Sequence, residues 1–241
     1  MERSYSKRCR AILRPLVDLV LPPLCFGCGA RLSASQKYLC AQCLAAIQKQ
    51  DEDICDVCGS SLSGGHCPFC LDTEALFWLA RAPYMYLGGI RNLIHSFKYE
   101  SYPMIGKWFA HAMADVIDSE PSFQDCDVIT PVPLHFVRKR ERGYNQSEII
   151  ARELSKLVGI DYAVLCKRHR HTKSQTHLNK QEREHNLDRA FSLCRGKDVA
   201  NAKVLLIDDV FTTGTTVNKI SELFLENGAS SVSVLTAARA V

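Results

Sequence analysis

Val204-Leu205-Leu206-Ile207-Asp208-Asp209-Val210-Phe211-Thr212-Thr213-Gly214-Thr215-Thr216 decides how the C-terminal part of this 241-residue chain is read. Four consecutive apolar residues fit a strand buried on both faces of a parallel sheet. Two carboxylates, Asp208 and Asp209, then reach its C-terminal edge, where open α/β sheets bind ligands. A short turn rich in hydroxyls follows, with Gly214 permitting close approach of the backbone. A helix starting after it aims free N–H groups and the positive end of its dipole at an anion. Hydroxyls and amides suit a phosphate monoester, and acids accept hydrogen bonds from sugar hydroxyls. A ribose 5-phosphate fragment satisfies both halves. A plain strand-to-helix connection needs one capping threonine and leaves four threonines and two uncompensated acids unexplained. The Gly-Lys-Ser/Thr ending of a Walker P-loop is absent.

The flanking pattern alternates strand and helix. Ala110 to Ile117 reads as helix and Asp127 to Pro133 as a short strand. Gln146 to Leu157 carries Ile149, Ile150, Leu154 and Leu157 at helical spacing and ends at Gly159. Tyr162 to Leu165 suggests another strand, and the polar, basic stretch from Lys167 to Arg189 a loop. After the quoted stretch, Val217, Ile220, Leu223 and Phe224 share a helix face that stops at Gly228, and Val232 to Leu235 supplies a strand. The expected fold over 77–241 is therefore α/β, a parallel sheet with helices on both faces.

The N-terminal part is different in kind. Of twelve cysteines, eight fall as Cys25/Cys28, Cys40/Cys43, Cys55/Cys58 and Cys67/Cys70, four successive C-x2-C pairs. Disulfide halves do not keep one spacing, whereas two thiolates about one turn apart can reach one tetrahedral ion at about 2.3 Å. Pairing neighbours closes loops of eleven and eight residues, the arrangement that costs least closure entropy. Large apolar residues are sparse over 25–72, too few for a core, and a structural zinc supplies about 10–16 kcal/mol to such a module. Two zinc ions in closed four-cysteine sites leave no open position, so their role is structural. His66, beside Cys67, is the one alternative ligand; Cys9, Cys126, Cys166 and Cys194 are scattered. The usage points to a reducing cytosol. Residues 1–24 read as a short helical lead-in, with Pro15 and Asp18 breaking the apolar run of Ile12 to Leu21. No run reaches the roughly 18 apolar residues of a membrane span.

Together these features resemble the type I phosphoribosyltransferases. They are closer still to the ComF family of competence-associated proteins, which join a double zinc ribbon to such a domain. The cysteine pairs carry the resemblance, with Phe97-Lys98-Tyr99, Pro131-Val132-Pro133 and Arg142-Gly143-Tyr144-Asn145-Gln146. Lys173, Gln175, Arg183, Asn186 and the Asp-Asp-…-Thr-Gly run extend it. The resemblance implies a PRPP site of Asp208, Asp209, Val210, Thr212, Thr213, Gly214, Thr215 and Thr216, the acids holding the ribose hydroxyls and the threonines the 5′-phosphate. The implied catalytic set is Asp208, Asp209, Arg142 and Lys173. Arg142 would lie near the diphosphate, and Lys173 to Asn186 would form a closing loop. Mg²⁺ would arrive with PRPP rather than on a protein cage. Purine-salvage members have an acid where Thr212 stands, and no motif for a nitrogen acceptor is visible here. Two functions stay open: phosphoribosyl transfer to an unnamed acceptor, or a competence factor handling single-stranded DNA or DNA-processing proteins, with the site as a nucleotide sensor.

The formal charge of +4 is uninformative, because eight zinc-bound thiolates and two zinc ions cancel it. Its distribution is not: residues 135–185 hold twelve Lys/Arg against six Asp/Glu. Arg138, Lys139, Arg140 and Arg142, then Lys167 to His171, fit a solvated loop, a funnel for a diphosphate, or a single-stranded DNA groove with Phe136 and Tyr144 as stacking platforms.

Overall fold

The computed structural model describes residues 22–49, 53–169 and 190–240. Two short helices, α1 (Ala41–Ala45) and α2 (Pro68–Asp72), each begin directly after a cysteine. Next come β1 (Leu79–Arg81), β2 (Tyr84–Met85), α3 (Gly88–Tyr99), α4 (Met104–Ser119), α5 (Pro121–Gln124) and β3 (Val128–Pro131). They are followed by α6 (Phe136–Arg142), α7 (Gln146–Val158), β4 (Asp161–Tyr162), β5 (Cys166–Arg168) and β6 (Phe191–Leu193). The chain then runs through β7 (Lys203–Phe211), α8 (Thr215–Glu226) and β8 (Ser231–Arg239).

The main sheet has the order β1-β8-β7-β3-β4, with β2 also on β8, and every pairing in it is parallel. Its two faces are covered by different helices, as expected for helices on both faces of a parallel sheet. Leu205 and Ile207 face a core built with α3, α4 and α7, containing Phe97, Phe109, Ile150 and Leu154. Val204 and Leu206 face the other core, with Val217, Ile220 and Phe224 of α8. Alternate residues of β7 thus enter opposite cores, which is why the run is apolar without a break.

The direction of the connections fixes where a ligand can sit. The chain leaves β3 through α7 toward one edge, and leaves β7 through α8 toward the other. Between the C-terminal ends of β3 and β7 the strand order reverses, the crevice in which open α/β sheets bind ligands.

Several local expectations are revised. The strand read at Tyr162 to Leu165 is shorter and starts earlier: β4 shares only Tyr162 with it, and past that point Thr130 Oγ1 accepts the Leu165 N–H before β5 begins at Cys166. Lys167 and Arg168 therefore belong to a strand, paired antiparallel with β6, and not to a loop. β7 continues past Ile207 to Phe211, in register with β8 at Asp208↔Thr236 and Phe211↔Arg239, so both acids lie inside the strand. The lead-in before 22 and the segment 170–189, with Lys173, Gln175, Arg183 and Asn186, lie outside the described residues. Among the described residues no helix is long and apolar enough to cross a membrane.

Candidate ligand site and metal centres

The eight paired cysteines form two clusters, Cys25/Cys28/Cys40/Cys43 and Cys55/Cys58/Cys67/Cys70, with the sulfurs of each within 4.8 Å of one another. Sγ–Sγ separations of 3.7 Å for Cys28–Cys40 and 3.8 Å for Cys55–Cys70 match the edge of a tetrahedron with bonds of about 2.3 Å, roughly 3.8 Å. Backbone N–H groups of Gly27 and Cys40 point at Cys25 Sγ, and that of Cys70 at Cys67 Sγ. Burial opposes ionisation of both thiols, yet these donors bring Cys25 down to about 6 and Cys67 to about 7. Burial and the neighbouring thiols push Cys43 and Cys70 up. Four thiolates this close need a cation between them, and an all-sulfur tetrahedral donor set fits zinc. The described cysteines are all free of disulfides, and His66 is not part of either cluster.

The clusters attach to opposite faces of the sheet. Cys25, Leu32 and Leu39 enter the core of α3 and α4, where Asn92 Nδ2 donates to Gly27 O and Tyr38 OH to Met104 O. Cys58 and Cys67 enter the core of α8.

At the switch point, Asp208 and Asp209 are held rather than uncompensated. Ser147 Oγ–H and the Asp209 N–H both donate to Asp208 Oδ1, at 2.7 and 2.8 Å. Lys98 Nζ lies 2.7 Å from Asp209 Oδ1. Burial first, then the Asp209 charge, push the Asp208 carboxyl up to about 7 against the help of Ser147 and Lys98. Burial alone would lower the Lys98 ammonium, but Asp209 and Asp208 outweigh it and Arg142, and hold it above its ordinary value.

Beyond β7 the turn exposes Thr212 and Thr213, and Thr213 Oγ1 lies 2.9 Å from Thr215 Oγ1. Gly214 is the N-cap of α8, in the left-handed region at φ 64°, with no side chain capping the helix. The first amides of this twelve-residue helix are thus open to an anion. A Cβ on Gly214 would stand 2.7 Å from Phe69 and 2.8 Å from Phe211.

Arg142 is the last residue of α6, and Gly143 ends that helix at φ 78°; the next helix starts after Asn145, whose side chain accepts the Ser147 N–H. From there Arg142 reaches Gln146 Oε1 at 3.1 Å and Tyr99 OH at 3.2 Å, with its guanidinium over the Tyr99 ring. Tyr144 is not an open stacking platform: its OH donates to Phe97 O and its ring packs on the core.

Residues 16–73 match the double zinc ribbon domain family, and residues 106–240 the phosphoribosyl transferase domain family. Competence protein F of Haemophilus influenzae is 33% identical over 225 residues, covering 90% of this chain and 96% of that one. The chain belongs to the ComF family. DNA utilization protein YhgH of Escherichia coli K12 is 30% identical over 222 residues, covering 90% and 96%. Competence protein ComFC of Streptococcus pneumoniae is 25% identical over 232 residues, covering 89% and 99%. As a ComF-type protein the chain combines a double zinc ribbon with a phosphoribosyltransferase-like domain.

Two site residues had no role in the sequence reading, and both carried a signal. Lys98 follows Ile94 by four residues, and Ser147 precedes Ile150 and Ala151 by three and four, so helical spacing puts each on a buried apolar stripe. A polar residue on such a stripe needs a partner, and here the partner is a β7 acid.

Proposed function

We propose that the crevice between β3 and β7 binds a phosphoribosyl ligand of the PRPP class. The single observation that carries this is the pairing of an uncapped α8 N-terminus with two acids on the strand leading into it. Thr212, Thr213, Gly214, Thr215 and Thr216 would hold the 5′-phosphate, with Val210 backing the turn. Asp208 and Asp209 would accept from the ribose hydroxyls, and Arg142 would face the diphosphate. Mg²⁺ would enter with the ligand, since both acids already have protein partners. Lys173, by family resemblance, would join the catalytic set. The thiolate-rich centres suit a reducing compartment such as the cytoplasm. Calorimetry with PRPP and Mg²⁺ tests binding, and release of diphosphate with candidate acceptors tests transfer; no heat and no displacement of a bound analogue by PRPP refutes the reading.

The exposed face of α6 favours a second reading. Phe136 is 71% exposed, and Arg138 and Arg140 stand on the same short helix. Lys139 is occupied by Glu148, at 3.2 Å. Single-stranded DNA would meet a stacking ring and two arginines. We expect R138A/R140A to flatten the salt dependence of DNA binding by about 1–2 units, roughly 0.7 per phosphate, and to leave PRPP affinity unchanged. Absence of DNA binding by the wild type at low salt removes this reading.

A further inference from the structure

The two four-cysteine clusters share one spacing but not one environment. In the second, Cys58 and Cys67 are buried and Cys55 and Cys70 half-buried. In the first, Cys25 is buried, Cys40 and Cys43 are half-buried, and Cys28 is exposed. Holding a metal needs four sulfurs, and the second cluster shows that this fold can keep all four from the surface. Exposure of Cys28 is therefore a difference that metal binding does not require.

Metal-bound sulfurs are thiolates, the form that oxidants attack. What separates one from another is access, and how far neighbouring donors share the charge of the sulfur. At the second cluster, Cys58 Sγ lies 3.3 Å from Ser60 Oγ and 3.7 Å from a guanidinium nitrogen of the buried Arg239. The first cluster has no counterpart, since Arg239 is the one buried arginine among the described residues. Backbone N–H groups donate to Cys25 Sγ from Gly27 and Cys40, and to Cys40 Sγ from Cys43. Among the described residues none donates to Cys28 Sγ. The most accessible sulfur thus also keeps its charge to itself. Cys40 Sγ stands 3.7 Å from it, within reach of a partner sulfur. Separation alone does not single out this pair, because Cys58–Cys67 and Cys55–Cys70 are as close, at 3.3 and 3.8 Å; access and charge do.

We propose that Cys28 is a site of oxidative modification, where a peroxide joins Cys28 to Cys40 and opens the first metal centre while the second stays closed. The Cys28 thiolate attacks one peroxide oxygen; the O–O bond breaks, hydroxide leaves and a sulfenic acid remains. The Cys40 thiolate then attacks the Cys28 sulfur, the S–S bond forms and a second hydroxide leaves. Two sulfurs have given up two electrons, which the peroxide has taken. Cys25 and Cys43 are left as two ligands where a structural zinc site has four. The ribbon then loses its hold on α3 and α4, through Gly27 O on Asn92 Nδ2 and Tyr38 OH on Met104 O. Phe69 and the Gly214 turn belong to the other centre and keep their packing.

The test uses the full chain loaded with two zinc ions, treated with hydrogen peroxide while a chromogenic chelator reports released metal. One zinc per chain should leave about tenfold or more faster than the other, and alkylation with peptide mapping should find Cys28 joined to Cys40 while 55, 58, 67 and 70 remain thiols. Hydrogen exchange should open over 25–43 and stay protected over 211–216. Dithiothreitol with added zinc should restore the first centre. R239Q should speed loss of the second zinc and leave the first phase unchanged; should R239Q not hold two zinc ions, the wild-type rates and the peptide map decide. Equal rates for the two ions, a first disulfide within the second cluster, or a loss that dithiothreitol and zinc do not reverse overturns the proposal.

Discussion

In its buried place beside Asp209, Asp208 keeps its proton to a higher pH than a free carboxyl does. Its carboxyl ordinarily titrates near 4, and burial beside Asp209 moves it to about 7 in the folded chain. The folded state therefore holds a proton that the unfolded chain has released. The stability this confers is complete below about pH 4 and is lost as pH rises through about 7. D208N keeps an Oδ1 acceptor for the Ser147 hydroxyl and the Asp209 amide but cannot ionise. We expect it to match wild type near pH 4 and to exceed it by up to about 4 kcal/mol above pH 8, since each tenfold change in proton affinity corresponds to about 1.4 kcal/mol. Urea unfolding at the two pH values checks this, and identical curves at alkaline pH would count against it. In wild type, PRPP affinity should rise as pH passes about 7, because an ionised acid is the better acceptor; in D208N it should be weaker and flat. The two acids could be read from the sequence, but their compensation could not. Ser147 and Lys98 are distant in the chain, and only the sheet order brings α7 and α3 to the end of β7.

Between β7 and α8 the turn is defined as much by its neighbours as by its threonines. Gly214 adopts a left-handed conformation and lies against Phe69 of α2 and Phe211 of β7. G214A meets both backbone strain and overlap with two rings, a combination that costs about 1–3 kcal/mol. It should weaken PRPP and inorganic phosphate together, since the turn addresses the phosphate. F69A/G214A relieves the overlap with Phe69 but neither that with Phe211 nor the strain, so it should regain part of the stability and little of the affinity. Thermal unfolding and phosphate titration of the two variants separate the effects; full affinity in G214A would show that the turn does not hold the anion. β7 and α8 were readable because an unbroken apolar run and a 3.6-residue stripe are strong signals. α6 was not, because it buries no residue and its charges look like those of a loop. β5 was hidden for another reason: its partner β6 lies beyond a long polar insertion, so no local pattern announces the pair.

Across the whole molecule, the two metal centres are unequal neighbours of the ligand site. The Cys25 centre rests on the starts of α3 and α4, through Gly27, Tyr38 and Leu39. The Cys55 centre is built into the phosphate end. Phe69, between Cys67 and Cys70, packs on Gly214 and Phe211. Arg239, at the end of β8 and 4% exposed, donates to Cys58 O and Ser60 Oγ while its guanidinium lies 4.2 Å from the Phe211 ring centroid. A zinc tetrathiolate would carry two negative charges, one of which this buried cation offsets. The cysteine spacing predicted two zinc sites, and the cluster geometry agrees, but spacing could not say which site supports the ligand, because Phe69 and Arg239 meet the turn only through the fold. Elemental analysis should find close to two zinc ions per wild-type chain. C28S should lose one of them, loosen the first ribbon and change phosphate or PRPP affinity by less than about threefold. C67S should also lose one zinc, but it frees Phe69 from beneath the turn, whose donors then lose their hydrogen-bond geometry toward a phosphate. We therefore expect C67S to weaken phosphate binding about tenfold or more while β7 and α8 stay folded. Hydrogen exchange should show new opening at 211–216 in C67S and at 25–43 in C28S. If the two variants bind phosphate equally well, the second centre does not support the turn, and its contact with Gly214 is packing alone.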